Sequence, residues 1–262
     1  MREDRWDDHD WTPSGTLATK AGDPFDQFHA EGLISEVVRP IKSGKEASVY
    51  LCRAGGQAPL GTSLIAVKAY RTRDERSFKS DGVYRAGVVI KSRRVRVAME
   101  KKTKFGRAVG DELWLFREFE TLKLLHGIGA DVPRPLAMSE SSSLAMEYVG
   151  DEAEAAPHLR HARLSPAEAR QACDRLLWNV ELWLSRRVIH GDLSPFNVLW
   201  WDGRITVIDF PQAVDAQKNP HARELLHRDV ANVCGFFERF GVRRDARRVA
   251  GDLWNRFIFA AL

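Results

Sequence analysis

The stretch HGDLSPFN (residues 190–197), followed by VIDF (residues 207–210), decides the fold of this chain. One short β-type run follows the first stretch and a second run leads into the second stretch. The two runs are joined by Asp202-Gly203, a dipeptide typical of a tight hairpin turn. The sequence therefore predicts a β-hairpin between two groups of polar side chains, one group in each stretch.

The polar groups of these two stretches are those that phosphoryl transfer needs. One carboxylate must accept the proton of the acceptor, while an amide and a second carboxylate must hold Mg²⁺ against nucleotide phosphates. The spacing fits the kinase pattern H-R-D-x-x-x-x-N followed by Asp-Phe, which makes Asp192 the predicted base and Asn197 and Asp209 the predicted metal ligands. A purely structural role, in which these side chains only cap turns, is disfavoured because both motifs occur at the expected separation.

A lysine inside an apolar run gives the second signal. Lys68 lies within the β-type run LIAVKAY, where a charge is costly unless it is paired. A helix predicted from Asp111 to Gly127 offers Glu118 and Glu120 as partners. We expect Glu118 to be the partner because it shares a helical face with apolar residues such as Leu122, whereas Glu120 is predicted to be solvated.

Composition excludes several classes of protein. The 262 residues carry 40 Lys plus Arg against 36 Asp plus Glu, and this net charge of +4 is too weak to indicate a nucleic-acid binder by itself. An apolar fraction of 44% excludes disorder of the whole chain. There is no apolar run of roughly 18 residues and no apolar stretch of a secretory signal near Met1. Together with three widely spaced cysteines, predicted to be free thiols, this favours a cytoplasmic protein.

The chain divides by character into three parts. Residues 1–27 are predicted to be a flexible leader, residues 28–150 are rich in β-type runs, and residues 151–262 are rich in helical patterns. The helical part includes the capping box Ser165-Pro166-x-Glu168, which predicts a long helix from that point. The fold class is therefore predicted to be α+β.

A basic segment interrupts the first part. Lys79 to Arg107 contains ten basic residues against Asp81 and Glu100. One interpretation is a flap that recruits an RNA or ribosomal partner through phosphate contacts. Two others stay open, namely a flap that serves the phosphates of ATP and a solvated loop.

Four motifs together resemble one family, the RIO family of atypical serine/threonine protein kinases, and look closest to its first-named subfamily. They are SGKEASVY (43–50), HGDLSPFNVL (190–199), VIDFPQAV (207–214) and NPHARELLHRDV (219–230). The resemblance runs from about Phe28 to about Phe240. It implies a trimmed two-lobe protein-kinase-like fold, with a strand-rich N-lobe, a helical C-lobe, and ATP with Mg²⁺ or Mn²⁺ between them.

The resemblance also implies roles for individual residues. Lys68 resembles the phosphate-pairing lysine and Glu118 its helix partner, while Asp192, Asn197 and Asp209 keep the roles given above. Asp209 resembles the aspartate that is transiently phosphorylated in family members that act as ATPase switches. The expected nucleotide contacts are Met146, Glu147 and Val149 in the hinge, and Gly44, Lys45, Ser48 and Val49 in the phosphate loop.

The chain departs from ordinary kinases at two points. Gly191 replaces the template arginine, and only twenty residues separate Asp209 from Asp229, so the usual peptide-docking platform is missing.

Two alternative functions stay open. A small-molecule phosphotransferase of the aminoglycoside or choline type would also use an H-G-D-x-x-x-x-N loop. A nucleotide-switched RNA or ribosome assembly factor is the other alternative, and the sequence does not identify the protein phosphoacceptor.

Overall fold

A computed structural model describes residues 22–45, 47–71, 97, 101, 103–140, 142–259 and 262. The described residues form a five-stranded sheet followed by a mainly helical part, which confirms the predicted α+β class. None of the helices in the described ranges is long and apolar enough to cross a membrane. The helices are α1 (Asp26–Ala30), α2 (Lys104–Gly127), α3 (Pro166–Ser185), α4 (Ala222–Glu238) and α5 (Ala246–Ile258). The strands are β1 (Ile34–Ser43), β2 (Ala47–Ala54), β3 (Leu64–Tyr70), β4 (Pro135–Met138), β5 (Ser143–Glu147), β6 (Val188–Ile189), β7 (Val198–Trp201), β8 (Arg204–Val207) and β9 (Val214–Asp215).

The main sheet has the strand order β1-β2-β3-β5-β4, and every neighbouring pair is antiparallel. Side chains of a strand alternate between the two faces of a sheet. In β3, Ile65 and Val67 belong to a small apolar cluster with Phe28, while Ala66 belongs to the larger core of the molecule. Lys68 lies on the same face as Ala66, and this alternation points the lysine toward the helical part.

The last residues of the predicted leader, residues 1–27, belong to the folded part of the chain. Phe25 packs edge-on against Tyr50, with ring centroids 5.0 Å apart, and Phe28 in α1 is fully buried. These aromatic rings gain apolar contact by packing on the sheet, so residues 25–27 belong to the folded part. Residues 1–21 lie outside the described residues.

Helix α2 begins at Lys104 instead of the predicted Asp111. The earlier residues include Gly106 and Gly110, which have low helix propensity and conceal the start of the helix in the sequence. The helix ends at Gly127 as predicted, and Leu122 on its inner face is buried in the core. The remainder of the basic segment from Lys79 lies almost entirely outside the described residues.

Strands β7 and β8 form the predicted hairpin, with Asp202 and Gly203 at its turn. Both turn residues have positive φ, 48° and 73°, as a two-residue hairpin turn of the favoured kind requires. The short pair β6 and β9 was not predicted, because two residues are too few to show a periodic pattern. The division between parts at residue 150 stays a prediction; β5 ends at Glu147.

Helix α3 begins with the predicted capping box. The Ser165 hydroxyl accepts from the N–H of Glu168, and the Glu168 carboxylate accepts from the N–H of Ser165 at 2.8 Å. Two backbone donors at the end of the helix are thereby satisfied.

We expect Ser165→Ala to lower the free energy of unfolding by about 1 kcal/mol, because it removes the oxygen that caps the helix. Urea denaturation measures this change. Ser165→Thr is the matched control, since it keeps a hydroxyl and should remain close to wild type. Equal stability of the Ala and Thr variants would contradict the role of the cap.

Candidate active site

Lys68 joins three parts of the fold through one ammonium group. Its Nζ lies 2.8 Å from Glu118 Oε1 on α2 and 2.7 Å from Asp209 Oδ1 in the loop after β8. The Lys68 and Glu118 side chains are only 11% and 1% exposed, whereas Asp209 is 40% exposed. Glu120 lies elsewhere and pairs with Lys123 on the surface, so Glu118 is the carboxylate that reaches Lys68.

Burial and charge act in opposite directions at this triplet. Burial alone would lower the pKa of Lys68, but the carboxylates of Asp209 and Glu118 outweigh it and raise that pKa. Loss of solvent would raise the pKa of Asp209, but Lys68 lowers it overall. For Glu118, burial dominates and raises the pKa against the opposing effect of Lys68.

The loop that carries Asp209 is held from two sides. Asp209 has a φ of 72°, a left-handed conformation that side chains other than glycine rarely adopt and that costs about 1 kcal/mol or more. Lys68 holds its carboxylate, and the Trp114 indole N–H donates to the Pro211 carbonyl at 2.5 Å. These contacts from β3 and α2 compensate for the strained backbone.

The loop between β6 and β7 holds Asp192 and Asn197 together. The amide nitrogen of Asn197 donates to the Asp192 carbonyl at 2.9 Å and to its carboxylate at 3.3 Å. Within the described residues, no hydrogen bond uses the Asn197 amide oxygen. Partial burial and the charge of Asp209 raise the pKa of Asp192, while Arg228 and Asn197 oppose the rise.

Asp229 on α4 anchors the loop that carries Asp192. Its carboxylate accepts the Gly191 N–H at 2.8 Å and the Leu193 N–H at 3.0 Å. Gly191 has a φ of 81°, which glycine adopts without strain and an arginine at the template position would not. Burial raises the pKa of Asp229 to about 7, and the two N–H donors oppose the rise. The sequence analysis gave Asp229 no role; its only signal was the motif that contains it.

His190 links the two loops from inside the core. Its Nε2 lies 3.2 Å from the Ile208 carbonyl, and its Nδ1 accepts the Asp192 N–H at 3.3 Å. A neutral ring that carries its proton on Nε2 satisfies both contacts. The ring packs against Phe210 at 4.5 Å and Trp183 at 6.1 Å between centroids, and burial lowers the pKa of His190 to about 4.

A cleft of about 760 Å³ lies between the sheet and the helical part. Among the predicted site residues, those that line it are Gly44, Lys45, Val49, Lys68, Glu118, Met146, Glu147, Val149, Asn197 and Asp209. Asp192 is exposed and adjoins the cleft through Asn197. The sequence analysis missed Lys42, His158, His161 and Phe196, which also line the cleft.

Ser48, unlike the other residues of the predicted phosphate loop, does not line the cleft. It alternates along β2 with Val49, which does line the cleft, so the two side chains take opposite faces. The Ser48 hydroxyl lies 3.2 Å from the Ser43 hydroxyl, which accepts from Arg71 at 2.8 Å.

The predicted hinge lines the cleft and contains a backbone donor without a hydrogen bond among the described residues. The Val149 carbonyl accepts from the Ala156 N–H at 3.0 Å, and no hydrogen bond in the described part of the chain uses the Val149 N–H. Gly150 follows with a φ of 137°, and a Cβ there would lie 2.5 Å from the Glu154 carbonyl oxygen. The close turn after the hinge therefore requires glycine.

A contact crosses the mouth of the cleft. Lys42 Nζ on β1 lies 3.3 Å from His158 Nε2 in the segment after the hinge. Burial lowers the pKa of His158, and the charge of Lys42 lowers it further. A neutral His158 accepts from Lys42, so this pair links the sheet to the helical part beside the predicted phosphate loop.

A small antiparallel sheet above a helical part, with a cleft between them lined by Lys68, Asn197 and Asp209, is the fold of a protein-kinase-like phosphotransferase. The family comparison agrees, since residues 48–249 match the RIO domain. The chain belongs to the RIO family.

Individual relatives support the same family. The chain is 31% identical over 218 residues to human serine/threonine-protein kinase RIO1, which covers 80% of this chain and 35% of the relative. It is 32% identical over 209 residues to RIO1 of Caenorhabditis elegans, covering 77% of this chain and 37% of the relative. Against the RIO-type kinase Rio1 of Haloferax volcanii it is 32% identical over 234 residues, covering 87% and 70%. The chain thus spans about a third of the length of the human and nematode relatives.

We expect the neutral state of His190 to make its contribution to stability depend on pH. Below pH 6.5 the unfolded chain binds a proton that the buried ring does not bind until about pH 4, so the contribution of His190 to stability falls as the pH decreases through this range. The full loss from this group is about 3 kcal/mol. Urea denaturation at several pH values measures the slope.

His190→Gln keeps an amide donor but removes the titration, so its slope between pH 6.5 and pH 4 should be smaller than that of wild type. If this variant does not fold, NMR titration of the His190 ring in the wild-type protein gives the pKa directly. An unperturbed ring pKa, or equal slopes, would contradict the prediction.

The ion pair of Lys68 and Glu118 should act as a unit. We expect Lys68→Ala and Glu118→Ala each to lower nucleotide turnover by at least about tenfold, and the double variant to lose little more. Steady-state ATP turnover measures all three variants. Glu120→Ala, two residues further along α2 and paired with Lys123 instead of Lys68, is the control and should stay within about twofold of wild type. Strictly additive losses would argue against the pairing.

Proposed function

We propose that this protein is an ATP-dependent serine/threonine protein kinase of the RIO type, with ATP hydrolysis through a transient phospho-Asp209 as a related activity. The observation that carries this proposal is the Lys68 ammonium between Glu118 and Asp209 in a cleft that Asn197 also lines. Membership of the family and the names of its relatives support the same reaction.

The residues present fit a divalent cation. Asn197 supplies an amide oxygen that no hydrogen bond within the described ranges occupies, and Asp209 supplies a carboxylate that is 40% exposed. Oxygen ligands of this kind suit Mg²⁺, with Mn²⁺ as a substitute, and nucleotide phosphates would complete the coordination. When bound, the ion neutralises charge on the phosphates.

The chain's own groups then have distinct tasks. Lys68 pairs with phosphate oxygens and Glu118 keeps its ammonium in place. The Glu147 carbonyl and the Val149 N–H are suited to read adenine, while Gly44, Lys45 and Val49 border the phosphates. Asp192 accepts the proton of the serine or threonine hydroxyl as it attacks phosphorus, and its raised pKa makes it a better base.

The proposal also covers a macromolecular partner, the location of the protein and the alternative activity. The RNA or ribosomal partner was inferred from Lys79–Arg107, most of which lies outside the described residues. Three buried free cysteines fit a reducing compartment and support a cytoplasmic location. The small-molecule phosphotransferase is disfavoured because the RIO domain match extends over residues 48–249.

Variants of two aspartates should distinguish a loss of phosphate transfer from a loss of nucleotide binding. Asp192→Ala should abolish phosphate transfer and leave the affinity for Mg·ATP within about threefold, because the base contacts the acceptor and not the nucleotide. Asp209→Ala should weaken Mg·ATP binding by about tenfold or more and also abolish turnover, because it removes a metal ligand. Calorimetric titration and radiolabelled phosphate transfer measure the two effects, and wild-type transfer by Asp192→Ala would exclude this assignment.

A further inference from the structure

A cationic and aromatic surface adjoins the loop that carries Asp192. It consists of Arg160, His161, Phe196 and Arg239, and we refer to it as the acceptor face. Phe196 is 51% exposed although it is a large apolar residue, and it directly precedes Asn197. An exposed aromatic ring at this point of the loop is accessible to a ligand or partner.

Backbone and side-chain contacts fix Arg160 on this loop. Its N–H donates to the Pro195 carbonyl at 3.0 Å, so its position follows the loop. Its guanidinium carbon lies 5.7 Å from the centre of the Phe196 ring, and the His161 ring meets Phe196 edge-on with centroids 6.3 Å apart. Arg160 thus lies over Phe196, and the ring supports the guanidinium.

Arg239 extends the same surface from the end of α4. Its Nη2 donates to the Arg160 carbonyl at 3.3 Å, and its guanidinium carbon lies 4.1 Å and 4.7 Å from the ring centres of Phe236 and Phe240. Both arginines are therefore held by aromatic rings, which lowers the entropy lost when they bind a ligand.

Among the described residues, carboxylates already neutralise some arginines of this part of the fold, but not the two of the acceptor face. Arg175, Arg244 and Arg256 in the same part of the fold pair with Asp131, Asp174 and Glu181, respectively. Arg160 and Arg239 form no ion pair within the described residues. Two fixed guanidinium groups beside the loop of the proposed base thus remain available to an anion.

We propose that the acceptor face binds acidic side chains of a peptide whose serine or threonine hydroxyl is phosphorylated. The inference rests on the proposed function and names its substrate class. Guanidinium groups bind carboxylates through paired hydrogen bonds, and the hydroxyl must approach Asp192 on the same loop. A peptide is favoured over RNA because Arg160 covers the Phe196 ring face on which a base would stack.

The test compares two peptides that differ only in charge. One carries Asp and Glu around a single serine, and the other carries Asn and Gln at the same positions. We expect wild type to prefer the acidic peptide by about fivefold or more in kcat/KM, through a lower KM. The variant with both Arg160→Gln and Arg239→Gln should lose this preference, while its side chains keep hydrogen-bond donors.

Arg247→Gln is the matched control, because Arg247 is an exposed arginine on α5 that lines a separate groove between α3 and α5. It should keep the full preference for the acidic peptide. Equal efficiency of both peptides with wild type, or equal loss in Arg247→Gln and in the double variant, would overturn the proposal.

Binding of a fluorescent acidic peptide in the presence of Mg·ADP tests the face independently of transfer. Wild type could transfer phosphate to no peptide and still bind the acidic peptide through Arg160 and Arg239. That result would overturn the proposed function but support binding of acidic peptides at the acceptor face. If the acidic peptide does not bind, the face fails whatever the outcome for transfer. If a short RNA binds instead, with affinity lost in the double variant, the face is an RNA site and the proposal is wrong.

Discussion

The buried ammonium of Lys68 is the interaction on which the rest of the site depends. Removing a charge from water costs several kcal/mol, so the lysine is stable here only with carboxylates that come from other elements. Glu118 supplies one from α2 and Asp209 supplies the other from the loop after β8. The sheet, the helix and the loop are therefore fixed relative to one another by a single group. Because Asp209 is far more exposed than Glu118, it is the partner better placed to exchange for phosphate and metal.

A second constraint acts through backbone groups. Asp229 holds two N–H donors of the Asp192 loop, and His190 contacts that loop with one nitrogen and the Asp209 loop with the other. The hairpin of β7 and β8, with Val198 opposite Val207, sets the chain length between the two loops. Short-range hairpin geometry and long-range anchoring thus agree on where the polar groups lie.

Sequence reasoning succeeded where a signal was local or where chemistry demanded a partner. The Asp202-Gly203 turn needs only two residues to specify it. A lysine in an apolar strand needs a carboxylate partner, and this requirement identified Glu118 from the sequence alone. It failed where the answer depends on contacts between distant segments. The face that Ser48 takes depends on strand register, and His158 carries no motif, so its contact with Lys42 follows only from the closure of the sheet on the helical part.

The short connection between Asp209 and Asp229 gives the acceptor face its place in the fold. Twenty residues leave no room for the segment on which ordinary kinases dock a peptide, so the proposed acceptor would contact other parts of the surface. The segment after the hinge passes directly beside the Asp192 loop, where the Arg160 N–H bonds to Pro195. The end of α4 brings Arg239 to the same place. The chain thus lacks one docking element and exposes two guanidinium groups beside the proposed base, and both features belong to the same trimmed architecture.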